Sequence, residues 1–326
     1  MAAPPTPSAP PAAHPADHDP ADGWPGFAHT RVPAPGGHTA VCHGGRADGP
    51  VLVLLHGFPQ THVLWRRVAL ALADTFRLVL PDLRGYGDSP APPDEPEHAQ
   101  ASKRAMALDV VHALDALGIT TPVGLVGHDR GGRVAHRLAL DHPGRVARLT
   151  VIDIAPTLDM YARTDLAFAR AYYHWFHLIQ PAPLPETMIG GAARAYLHAK
   201  LGGWGAAGLA HVEPAALAAY ERAFERPAAI HSACEDYRAS AGIDLEHDRE
   251  SRARGERIAC DTLVLWGARG VVHRFFDPLA LWQAQCAARV SGHALDAGHF
   301  IPEERPADTA AALRAFFTPD PPEPAP

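Results

Sequence analysis

The sequence has no lysine- or arginine-rich run, and its net charge is −7 over 326 residues. Clustered positive charge is what holds a protein to nucleic acid or to an anionic membrane, so neither partner is expected. No apolar stretch approaches the roughly 20 residues of a membrane-spanning helix. Cysteine is scarce. Cys42, Cys234, Cys260 and Cys286 match no disulfide framework and no zinc-knuckle spacing. Free or buried thiols in a reducing cytoplasm are the expectation. No internal repeat is visible. The opening MAAPPTPSAPPAAHPADHDP lacks a basic start and an uninterrupted apolar core, so it does not read as a signal peptide. Residues 1–25 read as a disordered or polyproline-type Pro/Ala-rich arm, and the Pro-rich residues 319–326 as a similar tail.

What is present alternates. VLVLL (51–55), RLVL (77–80), VGLVG (123–127), LTVID (149–153) and TLVLWG (262–267) are short apolar runs bounded by Gly, Pro or Asp. Such runs suit strands buried on both faces of a parallel sheet. Helical patterns lie between them, at about 62–73, at 102–117 with Ser102 as cap and Gly118 as stop, and at 131–140. Strand–helix alternation predicts an α/β fold with a mostly parallel, doubly wound sheet. After Asp153 the alternation stops. Residues 158–250 carry helical segments and no good strand, which reads as an inserted helical cap. The core is then 26–157 and 251–318. Ligands of such sheets bind beyond the carboxyl ends of the strands, where the cap would roof them.

GHDRG (127–131) has the form Gly-x-nucleophile-x-Gly between a strand and a helix, with Asp129 at the nucleophile position. The plainer reading makes Asp129 an N-cap. Arg130 and Arg133 argue against that reading, because cations in a first helical turn oppose the macrodipole. They also share one helix face, so an anion is expected there. A carboxylate can displace a leaving group from saturated carbon and form an ester, which then needs a general base for hydrolysis. His299, in AGHF (297–300), is the candidate base. Asp153, at the end of LTVID, is the candidate acid that orients it. A turn role is the alternative for Asp153, and Asp277 is the second candidate acid. The backbone amides of Phe58 in HGFPQ and of Arg130 are expected to form an oxyanion hole.

HGFPQTHVLW, GHDRGGRV, YYHWF, CEDYRA and GHFIPEE together resemble the α/β-hydrolase superfamily and, within it, the haloacetate (fluoroacetate) dehalogenases. The resemblance runs from about residue 26 to 317. GHDRG with YHW is its most specific part. It implies an α/β-hydrolase fold, a small haloacetate substrate and no cofactor or metal. It also implies that Asp129, Asp153 and His299 are the catalytic triad and that Arg130 and Arg133 clamp the substrate carboxylate. His174, Trp175 and Tyr237 are then the halide pocket of the cap. In isolation, those three aromatics would be read as packing. Gly132, where relatives often have Ala, and ARGVVHR after TLVLWG depart from the pattern.

Two other functions remain in view. An epoxide hydrolase uses the same Asp/His/Asp set with cap tyrosines, of which Tyr161, Tyr172, Tyr173, Tyr196, Tyr220 and Tyr237 are available. It has no need of paired arginines. A non-catalytic binding protein of the same fold would have lost Asp129 or His299. A metal site at His174 and His177 lacks a third ligand. Cytoplasmic location is expected, and a homodimer is left open, as are the preferred halogen and the role of the arm.

Overall fold

The computed structural model describes residues 14–15 and 24–318. A nine-stranded sheet runs through the molecule in the order β1-β2-β3-β5-β4-β6-β7-β8-β9. Its strands are β1 (His14–Pro15), β2 (Phe27–Ala34), β3 (Gly37–Gly45), β4 (Val51–Leu55), β5 (Arg77–Pro81), β6 (Val123–His128), β7 (Val146–Ile152), β8 (Asp261–Gly267) and β9 (Val290–Leu295). The first three pair antiparallel, and β3 also meets β5 antiparallel. All pairings from β5 through β4, β6, β7 and β8 to β9 are parallel.

The apolar runs form the centre because both faces of the sheet are covered. In β4, Leu52 and Leu54 join one buried cluster, while Val53 and Leu55 join the other. That is the two-residue period of a strand spent on two cores. In β8, Leu263 and Leu265 face one side and Val264 the other. Full burial of each such side chain stabilises by about 1.5–3 kcal/mol, as an upper bound.

β2 and β3 had no counterpart among the expected strands. FAHTRVPA and GHTAVCHGG mix polar and apolar residues, and β2 lies near the sheet edge with mostly exposed or half-buried positions. A half-solvated antiparallel strand lacks the continuous apolar signal. Helix boundaries shift slightly. The 62–73 pattern is a short 3₁₀ helix, His62–Trp65, followed by an α-helix, Arg66–Leu72. The 102–117 pattern is a helix over Lys103–Ala116, and the Ser102 hydroxyl accepts from the Ala105 amide at its start. The expected disordered arm and tail fall outside the described residues, apart from His14–Pro15, Trp24 and Pro25. Trp24 is buried and packs edge-on to Phe27.

Between β7 and β8 the described residues form eight helices, from Thr157–Ala162 to Ile243–Ala253. Buried aromatic side chains tie them to the core. Phe168 packs against Trp175 within the insertion and against Phe276 outside it. Tyr220 donates from its hydroxyl to Glu303 at 2.7 Å, and Gln60 donates to the same carboxyl at 2.6 Å. Arg137 reaches Asp248 at 2.9 Å. The order β5-β4-β6 reverses the winding direction beside β4, the place where open α/β sheets open a crevice for ligands. No helix of the described residues is long and apolar enough to cross a membrane.

Candidate active site

Asp129 follows β6 directly and has φ +48° and ψ −117°. A non-glycine residue in that region is strained, and such strain persists where surrounding structure imposes it. Its neighbours show the constraint. A Cβ on Gly131 would stand 2.3 Å from the His56 carbonyl, and one on Gly57 would stand 2.5 Å from Asp129 Cβ. Only glycine lets the two loops close around the carboxylate. Asp129 makes no side-chain cap bond to the helix Arg130–Asp141 that it precedes. Its Oδ1 instead accepts the Phe58 amide at 2.9 Å. The Phe58 loop is held by His56, whose Nδ1–H donates to the Gly57 carbonyl while Nε2 accepts from Leu83.

His299 stands on the other side of the carboxylate, with Nε2 3.7 Å from Asp129 Oδ2. Its Nδ1 donates to Asp153 Oδ2 at 2.6 Å. Asp153, at φ +51°, is fully buried, and its second oxygen accepts the Gly267 amide at 3.0 Å. Asp153 therefore sits where β7 ends and is anchored by the end of β8. Asp277 is elsewhere in role: its carboxylate caps the helix Pro278–Gln285 by accepting from Ala280. Burial by itself would raise the Asp129 carboxyl, but His299 and then Arg130 outweigh it and hold it below its ordinary value. Burial would lower His299, but Asp153 and then Asp129 hold it above its ordinary value.

The two arginines differ. Arg130 is ion-paired: Nε and Nη2 contact the two oxygens of Asp236 at 2.9 and 2.5 Å. Asp236 also takes Lys103 and the Tyr86 hydroxyl, so four buried polar groups meet there. Arg133 is bonded only to neutral acceptors: the Ala155 carbonyl, the Thr157 hydroxyl at 2.8 Å and Met160 Sδ. Among the described residues it has no ion pair, although it is 3% exposed. Burial and then the neighbouring Arg130 charge lower its proton affinity. Arg130 Nη1 and Arg133 Nε are buried without a hydrogen-bond partner.

Aromatic residues of the helices between β7 and β8 cover both guanidiniums. The Tyr237 ring lies 4.1 Å from Arg130 Cζ and the Trp175 ring 4.9 Å from Arg133 Cζ. His174, Trp175 and Tyr237 are brought together. Ring centroids are 5.5 Å apart for His174–Tyr237 and 6.5 Å for Trp175–Tyr237. Tyr237 also packs edge-on to Phe58, the residue whose amide holds Asp129. Burial drives His174 well below the usual histidine value, so its ring is neutral, with one N–H. Burial drives the Tyr237 phenol well up, so it stays a donor. No third metal-binding side chain joins His174 and His177 among the described residues.

Two contributors were not singled out from the sequence. Asp236 stands one residue before Tyr237 in CEDYRA, but its pairing with Arg130 spans 106 residues and has no local signature. Trp204 packs 4.3 Å from His174, and its carbonyl accepts the His299 amide at 2.9 Å.

The family model described as "alpha/beta hydrolase fold" matches residues 50–306. A fluoroacetate dehalogenase of Burkholderia sp. is 45% identical over 271 residues, covering 83% of this chain and 88% of that protein. A soluble epoxide hydrolase of Corynebacterium sp. (strain C12) is 33% identical, covering 86% of this chain and 97% of that one. A solved α/β-hydrolase structure from Nostoc sp. PCC 7120 superposes with a TM-score of 0.86 at 50% identity, covering 90% of this chain and 98% of that one. The chain belongs to the α/β-hydrolase family and, within it, to the haloacetate dehalogenase branch.

Proposed function

We propose that the protein hydrolyses haloacetates, converting fluoroacetate and water to glycolate, fluoride and a proton. The observation that carries this reading is Arg133. A buried guanidinium without a counter-ion is costly. Here it lies four residues from the candidate nucleophile, beside a second arginine already neutralised by Asp236. An anionic substrate supplies the missing charge. Its carboxylate, set on Arg133 and on Arg130 Nη1, directs the α-carbon at Asp129 and removes the repulsion between two anions.

In the first step Asp129 Oδ2 attacks the α-carbon, and the halide leaves with the electrons of the carbon–halogen bond. His174, Trp175 and Tyr237 offer N–H and O–H donors to the developing charge, which is most concentrated on fluoride. In the second step His299 Nε2 takes a proton from water, and the oxygen adds to the Asp129 carbonyl carbon. Negative charge then develops on Oδ1, already opposite the Phe58 amide, with the Arg130 amide as second donor. Collapse expels glycolate as its alkoxide, which takes the proton from His299, and the Asp129 carboxyl releases the second water proton to solvent, restoring the carboxylate.

The electrostatics support this order. While Asp129 is ionised it helps keep His299 protonated. The ester carries no charge, so that pull disappears and the neutral imidazole, the form able to take a proton from water, is favoured when water must be activated. The helical insertion, 158–250, acts as the cap that keeps bulk water out.

A second reading, epoxide hydrolysis, rests on the epoxide-hydrolase relative and on the Tyr161 hydroxyl, which is buried without a partner. An uncharged epoxide leaves Arg133 without a direct ion pair. A fluoride electrode with fluoroacetate, run beside styrene oxide turnover, separates the two. Fluoride release with little diol supports the proposal, and the reverse rejects it.

A further inference from the structure

In the antiparallel register of β2 and β3, His29 stands directly across from Cys42. Directly opposed residues project from the same face of a sheet. His62, which opens the short helix after HGFPQ, closes on this pair, with its ring centroid 5.2 Å from that of His29. One metal-binding atom from each of the three lies within 4.8 Å of the others. We propose that His29, Cys42 and His62 form a binding site for a divalent transition-metal ion of the zinc class, its remaining position filled from solvent.

The donor set selects the metal. Two imidazoles and a sulfur suit Zn²⁺ or Co²⁺ and suit Mg²⁺ or Ca²⁺ poorly. The supporting residue is Asp82. Its Oδ1 accepts from His62 Nδ1 at 2.9 Å and from the His62 amide at 2.8 Å. A carboxylate on one imidazole nitrogen fixes the ring and directs the other nitrogen's lone pair to a metal. Asp82 is itself held, since Oδ2 accepts the Asp88 amide at 2.9 Å. A cavity of about 230 Å³ adjoins the group, lined by His29, His62, Asp82 and Asp88 together with Arg222 and Arg226. It gives the ion a way in and a place for water.

Zinc–nitrogen and zinc–sulfur bonds of about 2.0 and 2.3 Å require donors closer than 4.8 Å, so each moves inward by less than about 1 Å. Binding replaces the Cys42 S–H bond by a sulfur–metal bond and releases one proton to solvent. The metal would join the β2–β3 edge to the loop that carries Phe58. Its expected effect is on stability rather than on the chemistry at Asp129, since an ion bound only by the folded state stabilises it by mass action.

The test uses the full-length protein, stripped with a chelator and titrated with Co²⁺ as the probe. One equivalent is expected to give thiolate-to-cobalt charge-transfer absorption, to be displaced by Zn²⁺, and to raise the melting temperature. The thiolate band separates this site from adventitious binding to the many other histidines. Cys42→Ser is expected to abolish the band, and Cys260→Ser and Cys286→Ser to retain it. His29→Gln is expected to weaken Co²⁺ binding by more than about tenfold. Circular dichroism of each metal-free variant reports its fold. If Cys42→Ser does not fold, His29→Gln, at a half-exposed strand position, carries the test. A parent without the band, a band that survives Cys42→Ser, or unchanged Co²⁺ affinity in His29→Gln overturns the proposal.

Discussion

Arg130 spends two of its guanidinium nitrogens on Asp236, at 2.9 and 2.5 Å, and keeps Nη1 without a partner. The same carboxylate takes Lys103 and the Tyr86 hydroxyl, so it compensates two buried cations. Asp236 is therefore a positioning residue for the proposed clamp. Asp236→Asn is expected to destabilise the fold by about 3–5 kcal/mol, the cost of breaking one side of a buried pair. It is also expected to raise KM for haloacetates more than it lowers kcat. Denaturant unfolding and steady-state kinetics check this, and an unchanged KM in a folded variant contradicts it.

Arg133 should behave in the opposite way. Among the described residues its hydrogen bonds go to neutral acceptors and it makes no ion pair. Arg133→Leu removes a charge-assisted contact to substrate worth about 1.5–3 kcal/mol, or roughly 10- to 100-fold in kcat/KM. Misalignment of the α-carbon adds to the loss. Because a buried charge with no direct ion pair goes with it, the melting temperature is expected to hold or rise. Full activity in this variant means that Arg133 does not bind the substrate carboxylate.

Tyr237→Phe keeps the ring over Arg130 and removes one donor from the proposed halide pocket. Losing a donor to developing charge costs on the order of 2.7–4 kcal/mol in oxyanion sites. The effect is expected to be larger for fluoroacetate than for chloroacetate. The ratio of kcat/KM for the two substrates in parent and variant is the readout. A constant ratio removes Tyr237 from the halide.

Glu303 links cap and core through Tyr220 and Gln60, and burial pushes its carboxyl up to about 8 from an ordinary 4.5. The folded state then holds this proton over a range in which the unfolded chain has released it. Stability from this group is full below about pH 4.5 and declines as pH rises toward 8. Glu303→Gln cannot ionise, so its melting temperature is expected to fall less than the parent's between those pH values. Parallel slopes for the two proteins contradict this.

The parallel central strands and the sharp turn at Asp129 are legible in the sequence because each is local. VGLVG, the two flanking glycines and the following helix are contiguous, and Asp153 stands at the end of its own apolar run. Asp236 and Trp204 are not legible in that way, since they reach the site only when the cap folds over the sheet. β2 and β3 escape detection because their residues are half-solvated and rich in His, Thr and Gly. That also hides the meeting of His29 with Cys42, which depends on strand register, and of both with His62.

The covalent ester is the central claim, and His299→Asn tests it most directly. Asp129 lies 3.7 Å from His299 Nε2, and the first step as proposed asks nothing of the imidazole. The variant, incubated with fluoroacetate and analysed by intact-protein mass spectrometry, is expected to accumulate one carboxymethyl group. Peptide mapping should place it on Asp129, with about one equivalent of fluoride released. An unmodified protein that releases no fluoride, or an adduct on any other residue, contradicts the account.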